Sequence, residues 1–457
     1  MLVLIVLLRL CLHVRKTFFV PVDLLNRLPS FPFYFSTPLP YAIGTCSEDM
    51  RHVLDVAAVL KKKPIFICLP CFYGLLGFRI AAKALFTIRE TNFDEDVPIN
   101  ACARLISGVF QIYVAIIFIL SRIAFLLLRF QYRKFKNLDD FRTAVLGGLF
   151  EELAFPRLGC NTAYKILSSM LIAYPSCYEE IIKRARTRHL VFTDSYYCSW
   201  IEYLNANQIH LNDKYVVIHT RSYNYHSDVG RRTFRNATLA NYIPMMKRLL
   251  ETGHKVVLIG GSITETLGLQ NINLYDLRYG KKHKPCSLDV FLVANCYKYI
   301  GMMSGPLDLA ILFRRKSFIL NSYTPYYCFG YPAETIYLLK HHVINEKDLH
   351  AGVSDLLDAN IEFIGLNEEN TDGYNLIELS AEILLEFCED FIVCNSRLDS
   401  GEKPRWRNVT NLIKQAQNEI SENNAVYLNN LVSLPQRERW LSNTILSHDS
   451  VSVYEVN

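Results

Sequence analysis

Residues 214–262 confine this chain to a small set of folds. Lys214 to Thr220 (Lys-Tyr-Val-Val-Ile-His-Thr) is almost continuously β-branched and aromatic, the pattern of a strand covered on both faces in a parallel sheet. A polar loop runs from Arg221 to Asn236. Residues 238–251 then place Leu239, Tyr242, Ile243, Met246, Leu249 and Leu250 at helical spacing, and Gly253 follows as a natural helix stop. Lys255-Val-Val-Leu-Ile259 reads as the next strand and ends in Gly260-Gly261-Ser262. Parallel neighbours need a crossover, and the helix supplies it, so the segment is a βαβ unit.

The alternation continues. Residues 273–277 suit a short strand, 288–295 a helix and 299–303 a strand that runs into Ser304-Gly305-Pro306. Another helix follows at 307–313 and another strand at 317–320. Such a series predicts a doubly wound α/β sheet whose ligands sit at the carboxyl ends of its strands. The first half is less regular. Helices are expected at 49–60, where Val53, Leu54, Ala57 and Leu60 share a face, and at 138–149 and 162–173. Strands are expected at 63–69 and 187–193. From 376 onward the pattern reads as helical and charged, at 376–391 and 408–422, with a tail. Three regions result: 1–205, 206–375 and 376–457.

Composition sets outer limits. A chain of 457 residues, 51% hydrophobic with 27 Tyr and 27 Phe, has ample core for two or three domains. A net charge of +5 is compatible with an anionic substrate or a membrane surface and is far from the basic footprint of a nucleic-acid binder. Thirteen cysteines in no regular framework read as reduced thiols of a cytoplasmic protein. Cys68 and Cys71 read as core cysteines near a strand end, and Asp94-Glu95-Asp96 as a solvated acidic turn, so no metal site is expected. The apolar run 1–12 lacks the charge order of a signal peptide and reads as a first core strand or a short interfacial helix. The longer run 112–128 contains Arg122. It suits a buried helix, a helix lying on the inner face of a membrane, or a span, in that order, because a central arginine is costly in hydrocarbon.

The chemistry concentrates between His219 and Asn236. This stretch overlaps the end of a buried strand and carries Arg221, Arg231, Arg232, Arg235, His219, His226 and Asp228. Guanidinium forks match phosphate oxygens, and a departing diphosphate needs such positive charge as its own negative charge grows. Asp228 is the only carboxylate in the loop, a candidate general base on an acceptor hydroxyl or an orienter of an arginine. His226 is a second candidate base. Ser304-Gly305 and Gly260 follow other strands, where backbone amides approach an anion or simply turn. Dinucleotide, P-loop, zincin and serine-hydrolase signatures are absent.

Tyr215-Val-Val-Ile-His-Thr-Arg221, then Asp228-Val-Gly-Arg-Arg-Thr-Phe-Arg-Asn-Ala237 and Tyr242-Ile-Pro244, resemble the core motif of a group of bacterial glycosyltransferases of surface-polysaccharide gene clusters. Ile300-Gly-Met-Met-Ser-Gly-Pro306, Asn321 and Thr324-Pro325 resemble the second motif of that group, and Asn370-Thr371 with Glu378, Glu382 and Glu386 its end. Met302 and Met303 depart from the small polar residues expected before Ser304. The resemblance spans residues 210–390 and extends distantly to fucosyltransferases of the GT-B architecture.

It implies two Rossmann-like domains facing across a cleft, an acceptor-side domain at 1–205 and a donor domain at 206–375, with a helical extension at 376–457. The donor would be a nucleotide-diphosphate sugar, the acceptor a glycan or a lipid-linked glycan, and no separate cofactor or metal would be needed. Arg221 would hold the diphosphate. His219, Arg231, Arg232, Arg235, Asn236, Gly260, Ser304 and Gly305 would line the donor site, and Asp228 or His226 would be the base. Two alternatives stay open at this level: a membrane-associated scaffold of the same fold without catalysis, and a different phosphate-handling enzyme.

Overall fold

The computed structural model describes residues 24–38, 43–66, 194–211, 214–221, 236–260, 267–278, 287–322, 335–344, 374–394, 406–408 and 444–448, with short pieces at 22, 89–90, 112, 159–160, 162–163, 190–192 and 347–348. The chain separates into two compact units, Met1–Tyr196 and Tyr197–Asn457.

In the first unit, strands β1 (Phe33–Ser36) and β2 (Lys63–Phe66) pair in parallel, with helix α1 (Ile43–Val59) between them in sequence. Two short strands, β3 (Arg89–Glu90) and β4 (Leu190–Val191), pair antiparallel. Tyr34 packs with Val53, Val56, Ala57, Cys160 and Ala163, and its hydroxyl donates to the carbonyl of Gly159 at 2.9 Å. Asn26 bridges Phe35 at both backbone groups, donating at 2.9 Å and accepting at 2.8 Å. Lys62 is buried and donates to the carbonyls of Asn26 and Leu28, as a cation at the end of a helical turn should. Helix α1 starts earlier than its apolar spacing predicts, and Asp49, Arg51, His52 and Asp55 are buried along with its apolar face. The spacing finds a helix and misses that its polar positions are also enclosed.

The second unit is built on one large sheet. Its helices are α2 (Asp194–Ala206), α3 (Leu239–Glu251), α4 (Leu288–Asn295), α5 (Gly305–Leu312) and α6 (Ala381–Phe387), the last continuing as a π-helix, Cys388–Val393. Its strands are β5 (Tyr215–Thr220), β6 (Lys255–Gly260), β7 (Leu274–Asp276), β8 (Lys298–Gly301), β9 (Lys316–Ser322), β10 (Thr335–Leu339), β14 (Trp406–Asn408) and β15 (Thr444–His448). The eight strands lie in the order β14-β15-β10-β9-β8-β5-β6-β7. Every neighbouring pair is parallel except β14 with β15 at the edge. A smaller antiparallel sheet joins β11 (His341–Ile344), β12 (Lys347–Asp348) and β13 (Tyr374–Ile377).

From β5 the chain steps outward to β6 and β7, then returns to the other side of β5 for β8, β9 and β10. This is the doubly wound order, and its reversal between β5 and β8 is a topological switch point. Strand alternation splits the layers. Val216, Ile218, Val256, Leu258, Ile300, Phe318 and Leu320 share one core with residues of α3 and α6. On the opposite face the hydroxyl of Tyr215 reaches the carbonyl of Leu292 in α4 at 2.7 Å. Asn321, at the carboxyl end of β9, has φ 55 and stitches the first layer. It donates to the hydroxyl of Tyr242 at 3.1 Å and accepts from the amide of Leu379 at 2.8 Å.

The helical reading of 376–457 needs correction. Residues 374–377 are strand β13, α6 begins only at Ala381, and β14 and β15 belong to the large sheet. Thr444-Ile-Leu-Ser-His448 has no alternation to mark it as a strand, and its pairing with β10 spans more than a hundred residues, which local periodicity does not reveal. The expected helices at 138–149 and 408–422 lie outside the described residues, apart from Asn408, which is in β14. So do the run 1–12, Cys68 and Cys71, Asp94-Glu95-Asp96, and 112–128 apart from the exposed Ile112. Among the described residues, no helix is long and apolar enough to cross a membrane.

Candidate functional site

The switch point brings together two chain segments that sequence reading singled out separately. β5 and β8 run side by side with Ile218 opposite Ile300. Beyond these residues β5 delivers His219, Thr220 and Arg221, and β8 delivers Gly301, Met302, Met303 and Ser304. The two ends are joined twice. The hydroxyl of Ser304 lies 3.1 Å from Nδ1 of His219, and the amide of Arg221 donates to the sulfur of Met302 at 3.5 Å.

Ser304 is the residue that opens α5. Its backbone is extended, with φ −155 and ψ 172, and its side chain makes no capping bond to the helix. The hydroxyl is turned to His219 instead, with a long contact of 3.4 Å to the carbonyl of Met302. The first turn of α5 offers fewer amides than most: Pro306 has none, and the amide of Leu307 bonds to the carbonyl of Ser304 at 2.9 Å.

His219 is 5% exposed and Arg221 8%. Burial, with the positive charge of Arg221 beside it, lowers the His219 imidazole to about 4, so it is neutral at physiological pH. Its ring stands against Gly260, whose φ of +90 and missing side chain make the room. Beneath, on β8, Tyr299 is fully buried, and its ring fills the space over Gly301, where a Cβ would meet the phenol oxygen at 2.4 Å. Burial above all, with Cys296 and Asp308 adding to it, pushes the Tyr299 phenol well above its ordinary value, and Ser304 acts in the opposite sense.

The basic loop leaves and returns at one place. The amide of Ala237 donates to the carbonyl of Arg221 at 3.2 Å. Asn236 is buried, and its carbonyl accepts a 2.9 Å bond from the ammonium of Lys340 at the end of β10. Burial holds Lys340 near a pKa of about 8. Thr238 gives both its amide and its hydroxyl to the carboxylate of Glu378, at 2.7 and 2.9 Å. His226, Asp228, Arg231, Arg232 and Arg235 lie between these anchors and outside the described residues.

Of the expected site residues, His219, Arg221, Gly260, Ser304 and Gly305 thus gather around the carboxyl ends of β5, β6 and β8, and Asn236 sits at the returning end of the loop. Tyr299 and Lys340 were not anticipated. Tyr299 has a signal in retrospect, an aromatic two residues before a glycine on the same strand face. Lys340 has none, because its partner lies 104 positions away.

No family model matches the chain, and no curated protein matches it. Among solved structures, a glycosyl transferase family 9 protein from Veillonella parvula DSM 2008 is similar over 45% of this chain and 53% of its own, at 15% identity and a TM-score of 0.30. The chain therefore spans about half the length of that protein, and a likeness at that score carries no argument about the site.

Proposed function

We propose that this chain is a glycosyltransferase that moves a sugar from a nucleotide-diphosphate donor to a hydroxyl of a glycan or lipid-linked acceptor in surface-polysaccharide synthesis. One observation carries the reading. The motif arginine, Arg221, and the Ser304-Gly305 turn come from distant stretches of sequence and flank the same switch point of a doubly wound sheet, the place where such sheets bind nucleotides.

In this reading Arg221 neutralises the diphosphate as the glycosidic bond breaks, and Arg231, Arg232 and Arg235 complete the clamp from the loop. Asp228 takes the proton of the acceptor hydroxyl, with His226 as the alternative base. The arginines are proposed to take the role a cation plays in other transferases, so that the reaction runs without a metal. The apolar run 112–128 with its basic flank is proposed to rest on the inner face of the cell membrane, near a lipid-linked acceptor.

The test is thermal unfolding of the purified chain against a panel of sugar nucleotides, repeated with Arg221→Ala. A donor at a hundred times its Kd adds about 2.7 kcal/mol to apparent stability. Stabilisation of the wild type by one donor, lost in the variant, supports the proposal and names the donor. A folded sample that answers to no sugar nucleotide overturns it.

A further inference from the structure

Three side chains meet behind the first turn of α5: His219, Ser304 and Tyr299. The Ser304 hydroxyl sits between Nδ1 of His219 at 3.1 Å and the carbonyl of Met302 at 3.4 Å. A carbonyl only accepts, so the bond to Met302 uses the proton of Ser304, and the bond to His219 must then use a proton on Nδ1.

The third group is the phenol of Tyr299. It is fully buried, and its oxygen forms no hydrogen bond of ordinary geometry among the described residues. It lies near enough to Ser304 to feel its hydroxyl. Fully buried hydroxyls without partners are uncommon in native proteins, and each calls for a reason. In the arrangement inferred here the Ser304 hydroxyl gives up its long Met302 contact and accepts from both Tyr299 and His219.

We propose that His219 and Tyr299 are positioning residues that hold Ser304 as a hydrogen-bond donor to a phosphate oxygen at the start of α5, without touching the ligand themselves. The inference rests on the nucleotide-diphosphate reading and assigns the phosphate-facing donor. With Pro306 lacking an amide and the Leu307 amide engaged, the Ser304 hydroxyl and the Gly305 amide are the donors at that end of the helix. Two donors pointing into the Ser304 oxygen leave its own proton for an anion, and they strengthen it as a donor. The same arrangement explains why His219, expected to line the donor site, is wedged against Gly260 with its Nδ1 on Ser304.

Two measurements on the full chain decide the matter. The first is the ¹⁵N spectrum of histidine-labelled protein at neutral pH, with His219 assigned by loss of its signals in His219→Asn. The expected result is a neutral ring protonated at Nδ1, and a ring protonated at Nε2 overturns the proposal with no ligand involved. The second is titration with uridine and guanosine diphosphates across Tyr299→Phe, Ser304→Ala and the double variant. Tyr299→Phe is expected to weaken binding about tenfold alone and to have no further effect once Ser304 is alanine. The same variant should unfold at an equal or higher temperature than the wild type, because it deletes a buried hydroxyl that lacks a partner. A purely structural tyrosine would lose stability instead. His219→Asn keeps an N–H near the Nδ1 position and should bind within a few-fold of the wild type, whereas His219→Leu should not. Equal losses for Tyr299→Phe in both backgrounds overturn the proposal while leaving the transferase reading intact. If the wild type binds neither diphosphate, the titration is extended to the adenosine, cytidine and thymidine diphosphates, and binding of none of the five overturns both the transferase reading and this one.

Discussion

A Cβ atom on Gly260 would lie 2.5 Å from Cδ2 of His219 and 2.7 Å from its Nε2. The two residues are adjacent across the β5–β6 ladder, with Thr220 opposite Gly260. The glycine is therefore the mould for the imidazole as well as a turn residue with φ +90. Gly260→Ala should cost about 2–4 kcal/mol, from backbone strain and overpacking together. Gly253→Ala is the control, since φ is +81 there with nothing within 4 Å. It should cost only about 1 kcal/mol. Urea unfolding of both variants checks the contrast, and equal costs would mean that the imidazole yields easily.

Acid should find His219 early. Its folded pKa of about 4 lies below the 6.5 of the free side chain, so between these values the unfolded chain binds more protons than the folded one. The stability it contributes is fully present above 6.5 and is lost as pH falls through 4, an amount of about 3 kcal/mol. In His219→Asn the difference in unfolding free energy between pH 7 and pH 4 should shrink by that order. Urea titrations at several pH values measure it, and an unchanged acid limb would refute the assignment.

Asn321 holds a backbone conformation usually left to glycine, with φ 55, while bonding Tyr242 and the amide of Leu379. Asn321→Ala keeps the strain and leaves two buried groups without partners, for a cost of about 2–4 kcal/mol. Asn321→Gly loses the same bonds but relaxes the backbone, and should recover about 1 kcal/mol of that. Denaturant midpoints of the two variants test the order, and alanine equal to glycine would remove the backbone from the account.

The contact of α6 with the rest of its layer is apolar in energy, whatever its charges suggest. Phe387 is fully buried, 6.0 Å from the Phe318 ring and 5.0 Å from the Phe391 ring. Arg248 and Glu389 pair across the same helices at a part-exposed position. Phe387→Ala should cost about 3–5 kcal/mol, and Glu389→Gln should leave the midpoint nearly unchanged, since water screens such pairs. Thermal melts of both variants distinguish the two contributions.

The central strands were legible because burial on both faces leaves an unbroken β-branched run, as in Tyr215–Thr220 and Lys255–Gly260. Helix α4 was legible end to end for a related reason, being almost wholly apolar between turn residues. Arg221, Gly260 and Ser304 were singled out because they lie at the carboxyl ends of such strands. The sheet's far edge was not legible. Residues Trp406–Asn408 and Thr444–His448 are short strands whose partners are set by tertiary contact rather than by any local repeat. Tyr299 was passed over because an aromatic inside an apolar strand reads as core, and its buried hydroxyl without a partner among the described residues shows only in three dimensions.

The bond from Ala237 to Arg221 gives the basic loop a separable character. Its two feet stand on the sheet a hydrogen bond apart, so the entropy of closing it is set by the scaffold and depends only weakly on what lies between. The points where the chain leaves β5 at Arg221 and rejoins the described fold before α3 are therefore set by the scaffold itself. Closure of that loop is thus a property of the end of β5 and the start of α3, held by one backbone bond at its base.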